Sequence, residues 1–194
     1  MNKKKDLLET YSDLLSKIQE KKSLSIFESF LIPIIARTIQ NIHSFYLLYN
    51  NALYDNSVVI IRLQIDNIIR MTAYEYSNNN FIDDFLAGKQ INKMKMKDGR
   101  RMTDRNLLNK IEENDRGIYI LINSFYKKSS DYIHYSLSHI KSTFRKGDNN
   151  EIYANIPINK KDFIKEDREE LLNAFNFLSD YLYVELKSKL KMNL

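Results

Sequence analysis

Asp55-Asn-Ser-Val-Val-Ile-Ile-Arg-Leu-Gln-Ile-Asp-Asn-Ile-Ile-Arg-Met-Thr-Ala-Tyr-Glu-Tyr76 is the stretch whose reading decides the fold. It holds neither Gly nor Pro, and its apolar side chains recur at helical spacing, which predicts one uninterrupted helix. At about 100° per residue the two faces separate. Ser57, Gln64, Asn67 and Glu75 fall together and are expected to mark the solvent side. Val58, Val59, Ile69 and Ala73 lie across from them, in a sector that also takes in Arg62, Asp66 and Arg70 at i, i+4 and i+8. Three charged residues are thus expected to point inward. One account is a surface ladder of ion pairs worth a few tenths of a kcal/mol each; the other is a polar site inside a bundle.

The flanking sequence supplies the helices that would surround this one. Leu7, Tyr11, Leu14, Leu15 and Ile18 give residues 5 to 22 one apolar face. From Ser25 to about Asn50, Phe27, Leu31, Ile34, Ile35, Thr38, Ile42, Phe45 and Tyr49 do the same, with Gln40 and His43 opposite. Pro33 either kinks that helix or starts it. A short helix over Phe81 to Ala87 is expected to stop at Gly88. Thr103 or Asp104 caps a helix to about Glu113. Asp115 caps the next, to Lys127 or Lys128, with Ile118, Leu121, Ile122 and Phe125 facing the core. A separate helix from Ser130 would carry Ile133, Leu137, Ile140 and Phe144 on its apolar face. After it comes a loop with a brief strand-like patch at Ile152 to Ile156, and then a last helix from about Asp167 to Met192. Only 4 Gly and 2 Pro accompany this pattern, too few for many short strands. The expectation is an all-α single-domain helical bundle over residues 1 to 194.

One segment breaks the helical rhythm. Lys93-Met-Lys-Met-Lys97 and Arg100-Arg-Met102 alternate at period two around Asp98-Gly99, a turn signal calling for positive φ at both central positions. A short basic β-hairpin or loop insertion is therefore expected near residues 89 to 102. Its Lys89, Lys93, Lys95, Lys97, Arg100 and Arg101 would either contact nucleic-acid phosphates or face water while Met94, Met96 and Met102 pack on the bundle.

Composition narrows the chemistry. With 0 Cys there are no disulfides and no thiolate nucleophiles or ligands. The formal charge of +5 permits an anionic partner without requiring one. Phe27 to Leu48, the most apolar run, contains Glu28, Pro33, Arg37, Gln40, Asn41 and His43, too many polar groups for a membrane span. Acidic residues at Asp6, Glu9 and Asp13 argue against a signal peptide, so a cytoplasmic protein without a membrane partner is expected. Phosphate loops, zinc spacings and nucleophile elbows are absent from the sequence. Asp131 and His134 at i, i+3 are the nearest approach to a metal pair, and a pair on one helix is a common accident. Neither a metal nor a cofactor is expected.

The remaining constellation joins His134 to Arg62, Asp66 and Arg70. A histidine titrating near neutrality, oriented by a carboxylate and flanked by a cation, is equipped for acid–base work on a phosphodiester. Arginine would hold the phosphate with two prongs. Ser130 lies in line with His134, and Tyr126, Tyr132 and Tyr135 flank it, so base stacking is conceivable. The same four charged residues would equally serve as a satisfied polar network fixing helix register.

Three blocks carry a resemblance: Arg62 through Asp66 to Arg70; Gly88-Lys89 through Lys97-Asp98-Gly99-Arg100-Arg101-Met102-Thr103 to Asp104; and Tyr126 through Ser130-Asp-Tyr-Ile-His134-Tyr-Ser136 with His139. Together, over about residues 55 to 145, they resemble a bacterial all-helical family similar to HEPN-type domains and associated with phage defence. The resemblance implies a HEPN-like bundle and a homodimer that acts on or binds RNA or nucleotides, with metal-independent ribonuclease activity in a defence or toxin system as its catalytic form. Active HEPN members place an Arg shortly before a His on one helix. Here Lys127 and Lys128 precede His134, so Arg62 or Arg70 would supply the guanidinium. On that basis His134, Arg62, Asp66, Arg70, Ser130 and Tyr126 are the candidate catalytic residues, while Asp104, Ser136 and His139 support them or face a partner. A non-catalytic interaction or dimerisation module is the alternative the resemblance leaves open.

Overall fold

The expected central helix forms as α3, Tyr54–Glu75, in the computed structural model of the chain, which describes residues 3–133, 144–146, 151–154 and 165–190. Before it come α1, Lys3–Gln19, and α2, Ile26–Asn50; after it α4, Phe81–Leu86, a 3-10 turn at Ile91–Lys93, α5, Asp104–Asn114, and α6, Arg116–Ile133. The strands β1, Phe144–Lys146, and β2, Ile152–Ala154, pair antiparallel with Arg145 opposite Tyr153. The last helix is α7, Lys165–Lys189. The protein is an all-α helical bundle.

Helix α3 packs against α2, α5, α6 and α7, and this enclosure explains its composition. Ile61, Ile65, Ile68 and Ile69 are buried on it, facing Leu31, Ile35, Ile42 and Phe45 of α2 and Phe175, Leu178 and Leu182 of α7. Each such side chain contributes about 1.5–3 kcal/mol on burial. Phe45 and Phe175 lie parallel with ring centres 4.0 Å apart, tying α2 to α7. Tyr11 does the same for α1, its phenol donating to the Ser179 carbonyl at 2.6 Å.

The expected solvent face of α3 is not one. Ser57 and Gln64 are 0 % exposed and Asn67 1 %; of that group Glu75 alone is exposed. A helix surrounded on four sides has no wet stripe, so Ser57 bonds back to the Leu53 carbonyl of the preceding turn, and Gln64 and Asn67 meet polar residues of α2. Asn41 Nδ2 donates to Gln64 Oε1 at 3.1 Å, and Asn67 Nδ2 donates to Thr38 Oγ1 at 3.0 Å.

The helix termini follow their local chemistry. Ser25 and Glu28 form a reciprocal capping box at the start of α2, so Pro33 lies inside that helix and does not begin it. Gly88, with φ of +86°, ends α4 as expected. The Lys89 and Gly88 amides bond back to the Asp84 and Phe85 carbonyls.

Three expectations are corrected. First, α6 runs without a break from Arg116 through Ile133, because Ser129 and Ser130 donate their hydroxyls to the Phe125 and Tyr126 carbonyls and do not cap a new helix. Second, Leu121 is 44 % exposed, since the inner stripe of α6 passes through Ile122 and Ser129. Third, Phe144 belongs to β1 and is 45 % exposed, not part of a helical apolar face. The strand-like patch exists as β2, over Ile152–Ala154. Leu137 and Ile140 lie outside the described residues.

The segment from 89 to 102 is a loop insertion held by isolated bridges, Lys95 to Arg101 and Ser77 to Met96. Its turn differs from the expected one: Gly99 has φ of +84°, while Asp98 does not enter the positive region. The Gly99 amide bonds to the Met96 carbonyl and the Met96 amide to the Arg100 carbonyl, the pattern of a three-residue turn closed by a left-handed glycine.

Candidate functional site

Residues spaced by four share one face of a helix, so Arg62, Asp66 and Arg70 form a continuous stripe on α3. Their side chains are 14 %, 17 % and 28 % exposed. Asp66 bridges two cations: Oδ1 accepts from Arg70 at 2.7 Å and Oδ2 from Arg37 of α2 at 2.8 Å. Arg62 donates to Asp104 Oδ2 at 2.8 Å, and Arg70 lies 3.6 Å from Asp104 Oδ1. The position of Asp104 follows from the cap. Thr103 Oγ1 accepts the Asn106 amide at 3.3 Å, which leaves the Asp104 carboxylate to face the arginines from the first turn of α5. Tyr126 of α6 completes the group, its hydroxyl 3.2 Å from Asp104 Oδ2 and its ring 4.2 Å beneath the Arg62 guanidinium. Burial first and the Asp104 charge second raise the Tyr126 phenol above its ordinary value. At neutral pH it is a hydrogen-bond donor and not a base.

The cluster thus sets three guanidiniums against two carboxylates, and each guanidinium carries five N–H donors. It sits between two openings. One is a cleft of about 300 Å³ among α2, α3 and α4, lined by Arg37, Asp66, Asn67 and Arg70 on one side and apolar side chains on the other. The second is wider and is bounded by Arg70, Asp104, Thr103 and the 90–92 segment. Arg70, Phe85 and Ile91 line both. These dimensions fall at the lower end for small-molecule sites.

Of the residues singled out from sequence, Arg62, Asp66, Arg70, Asp104 and Tyr126 come together. Ser130 is half-buried and bonded within its own helix. His134, Ser136 and His139 lie outside the described residues. Arg37, which the sequence pattern did not single out, is the added member; the signal was a lone guanidinium beside Ile34, Ile35 and Thr38 in the most apolar run.

The basic loop stands apart. Its tip is fixed to the end of α3 by the Lys97 amide on the Tyr76 carbonyl at 2.9 Å, whereas its roots at 90–92 and Thr103 border the wider opening. Met94, Met96 and Met102 are buried and the six cations are exposed. Arg100 pairs with Asp98 at 2.8 Å and Glu113 at 3.1 Å, and Lys89 with Asp84 at 2.9 Å. Among the described residues Lys93, Lys95 and Arg101 make no ion pair, and no group of three or more carboxylate or imidazole side chains is placed to hold a metal. No described helix is long and apolar enough to cross a membrane. No family model, curated protein or solved structure matches the chain.

Proposed function

We propose that this chain is a HEPN-like helical protein that binds RNA or nucleotides through the Arg37–Asp66–Arg70–Asp104–Arg62 cluster. Its catalytic form would be a metal-independent ribonuclease of a bacterial defence or toxin system. The observation that carries the reading is a cluster of three guanidiniums on two carboxylates, of which Arg37 and Arg70 line the cleft and Arg70 the wider opening as well. Arginine's fixed fork suits phosphate oxygens, and donors not engaged by Asp66 or Asp104 remain to meet them. Tyr126 offers a ring face already stacked under Arg62. In the catalytic form, His134 exchanges the proton and Arg62 and Arg70 hold the phosphate. Lys93, Lys95 and Arg101 follow the backbone of a longer strand.

Fluorescence anisotropy with single-stranded RNA at low salt is the direct test. Retention is expected, and Arg70→Gln should weaken it and lower the salt slope by about 0.7 for each phosphate that is no longer neutralised. A protein that neither retains nor cleaves RNA at low salt overturns the reading.

A second reading is a non-catalytic dimerisation or interaction module. What favours it is that both carboxylates are fully engaged, Asp66 by two arginines and Asp104 by Arg62, Arg70 and Tyr126. His134→Ala separates the two. The nuclease keeps its melting temperature and loses RNA cleavage in the presence of EDTA; the structural network loses melting temperature.

A further inference from the structure

The cleft among α2, α3 and α4 has a chemistry that phosphate binding alone does not use. Its outer wall is apolar and open: Ile26 is 59 % exposed, Phe85 40 % and Leu86 75 %, and all three line it together with Pro33, Ile34 and Ile91. Exposed large apolar side chains gathered on the rim of a single concavity mark a binding surface. At the inner wall the character reverses. Arg37 and Arg70 stand there on either side of Asp66, which divides its two oxygens between them. Next to it, Asn67 gives its amide N–H to Thr38. A protein helix laid over the cleft would cover the rim and leave without a partner those guanidinium donors that Asp66 and Asp104 do not take. A bare phosphate would answer the guanidiniums and leave the rim wet.

We infer that this cleft binds a small amphipathic anion, its apolar body between α2 and α4 and its carboxylate or phosphate on Arg37 and Arg70. The apolar body supplies most of the affinity by leaving water; the two arginines set its direction through charge-assisted bonds. A nucleobase is a poorer occupant of this cleft, because its polar edges would meet Phe30, Ile34 and Leu86. The site is therefore additional to the RNA reading and stands or falls without it, although occupation of Arg70 would couple the two.

The test uses the full chain with 13C-labelled Ile and Leu methyl groups, titrated with octanoate, acetate and 1-octanol. Octanoate should shift the Ile34, Ile91 and Leu86 methyls in a saturable way and bind at least tenfold more tightly than acetate, which lacks the body, or 1-octanol, which lacks the charge. Leu86→Asp, at a position too exposed to threaten folding, should weaken octanoate at least tenfold with an unchanged melting temperature. Arg37→Gln should erase the preference of octanoate over 1-octanol. Octylphosphate in place of octanoate distinguishes a phosphate head from a carboxylate. The inference is overturned when octanoate leaves those methyls unmoved at millimolar concentration, when 1-octanol binds equally well, or when Leu86→Asp changes nothing. Each of those results leaves RNA retention, measured separately, free to succeed.

Discussion

The arginine–aspartate cluster and the basic loop carry similar charges in opposite ways. In the cluster, partners come from α2, α3, α5 and α6, so every ion pair but one joins two helices, and all the charged side chains but Arg37 are less than a third exposed. In the loop, Arg100 is paired by Asp98 two residues away and by Glu113 on the adjoining helix, all of them exposed by a third or more. Besides its backbone bonds to Ser77 and Tyr76, what anchors the loop is apolar: three methionines on its inner face. The number of charges is therefore a poor guide to what they do. A charge set between packed helices constrains structure and strengthens its field, whereas the same charge over water is screened.

The largest expected effect tests the apolar half of that contrast. Met96 is 1 % exposed, and Met96→Ala should destabilise the protein by about 3 kcal/mol, the middle of the range for emptying a methionine site. Thermal melts of Met96→Ala and Lys95→Ala measure the difference, and an unchanged Met96→Ala would mean that the loop is not seated. Next comes the cluster. Asp66→Ala strands Arg37 and leaves Arg70 only its 3.6 Å contact with Asp104, and because Arg37 remains 39 % exposed the cost should be about 2 kcal/mol, below that of a fully buried pair. For a chain of this size that lowers the melting temperature by roughly 4–8 °C. Asp98→Ala in the loop should leave it in place. Equal losses at Asp66 and Asp98 would break the comparison.

A smaller effect concerns Lys93, Lys95 and Arg101, exposed cations that make no ion pair among the described residues. Reversing all three to Glu should leave the melting temperature within about 2 °C, because surface substitutions of this kind change little. RNA affinity reads their other role. Affinity unchanged by the reversal removes the loop from the RNA surface and confines binding to the cluster.

The same contrast explains what the sequence made legible. Apolar periodicity placed α1, α2, α3 and α7 because long amphipathic helices state their inner face in every turn. Arg62, Asp66 and Arg70 were readable as one stripe for the same reason. Helical phase misplaced Ser57, Gln64 and Asn67, since it assumes one wet side and α3 has none; neutral polar residues that find partners across an interface look the same in sequence as solvated ones. Arg37 and the bridging role of Asp104 were hidden because both depend on contacts between helices far apart in the chain. The junction at Lys127 to Ser130 misled because serine both starts helices and bonds back within them, and only the surrounding backbone decides which.

The smallest expected effect is a titration. Arg100's side chain, foremost, and then its backbone amide hold the Asp98 carboxyl well below the usual carboxylate range. Glu28 is an internal reference: the Lys21 ammonium first, and then the Ser25 amide and hydroxyl of the capping box, bring it from 4.5 down to about 2. A carboxylate depressed in the folded state contributes stability that is present above its unfolded value and lost as pH falls through the folded one. For Glu28 that window runs from about pH 4.5 to about 2, and for Asp98 it lies at the acid end of the scale. Glu28→Gln should therefore melt below the parent at pH 7 and converge with it near pH 2. Side-chain 13C titration should follow Asp98 while the Met96 amide stays protected from exchange, since loss of an exposed pair does not unseat the buried methionines. Deprotection of Met96 in step with Asp98 protonation would show that the loop is held by its charges after all, and the distinction between the two regions would be gone.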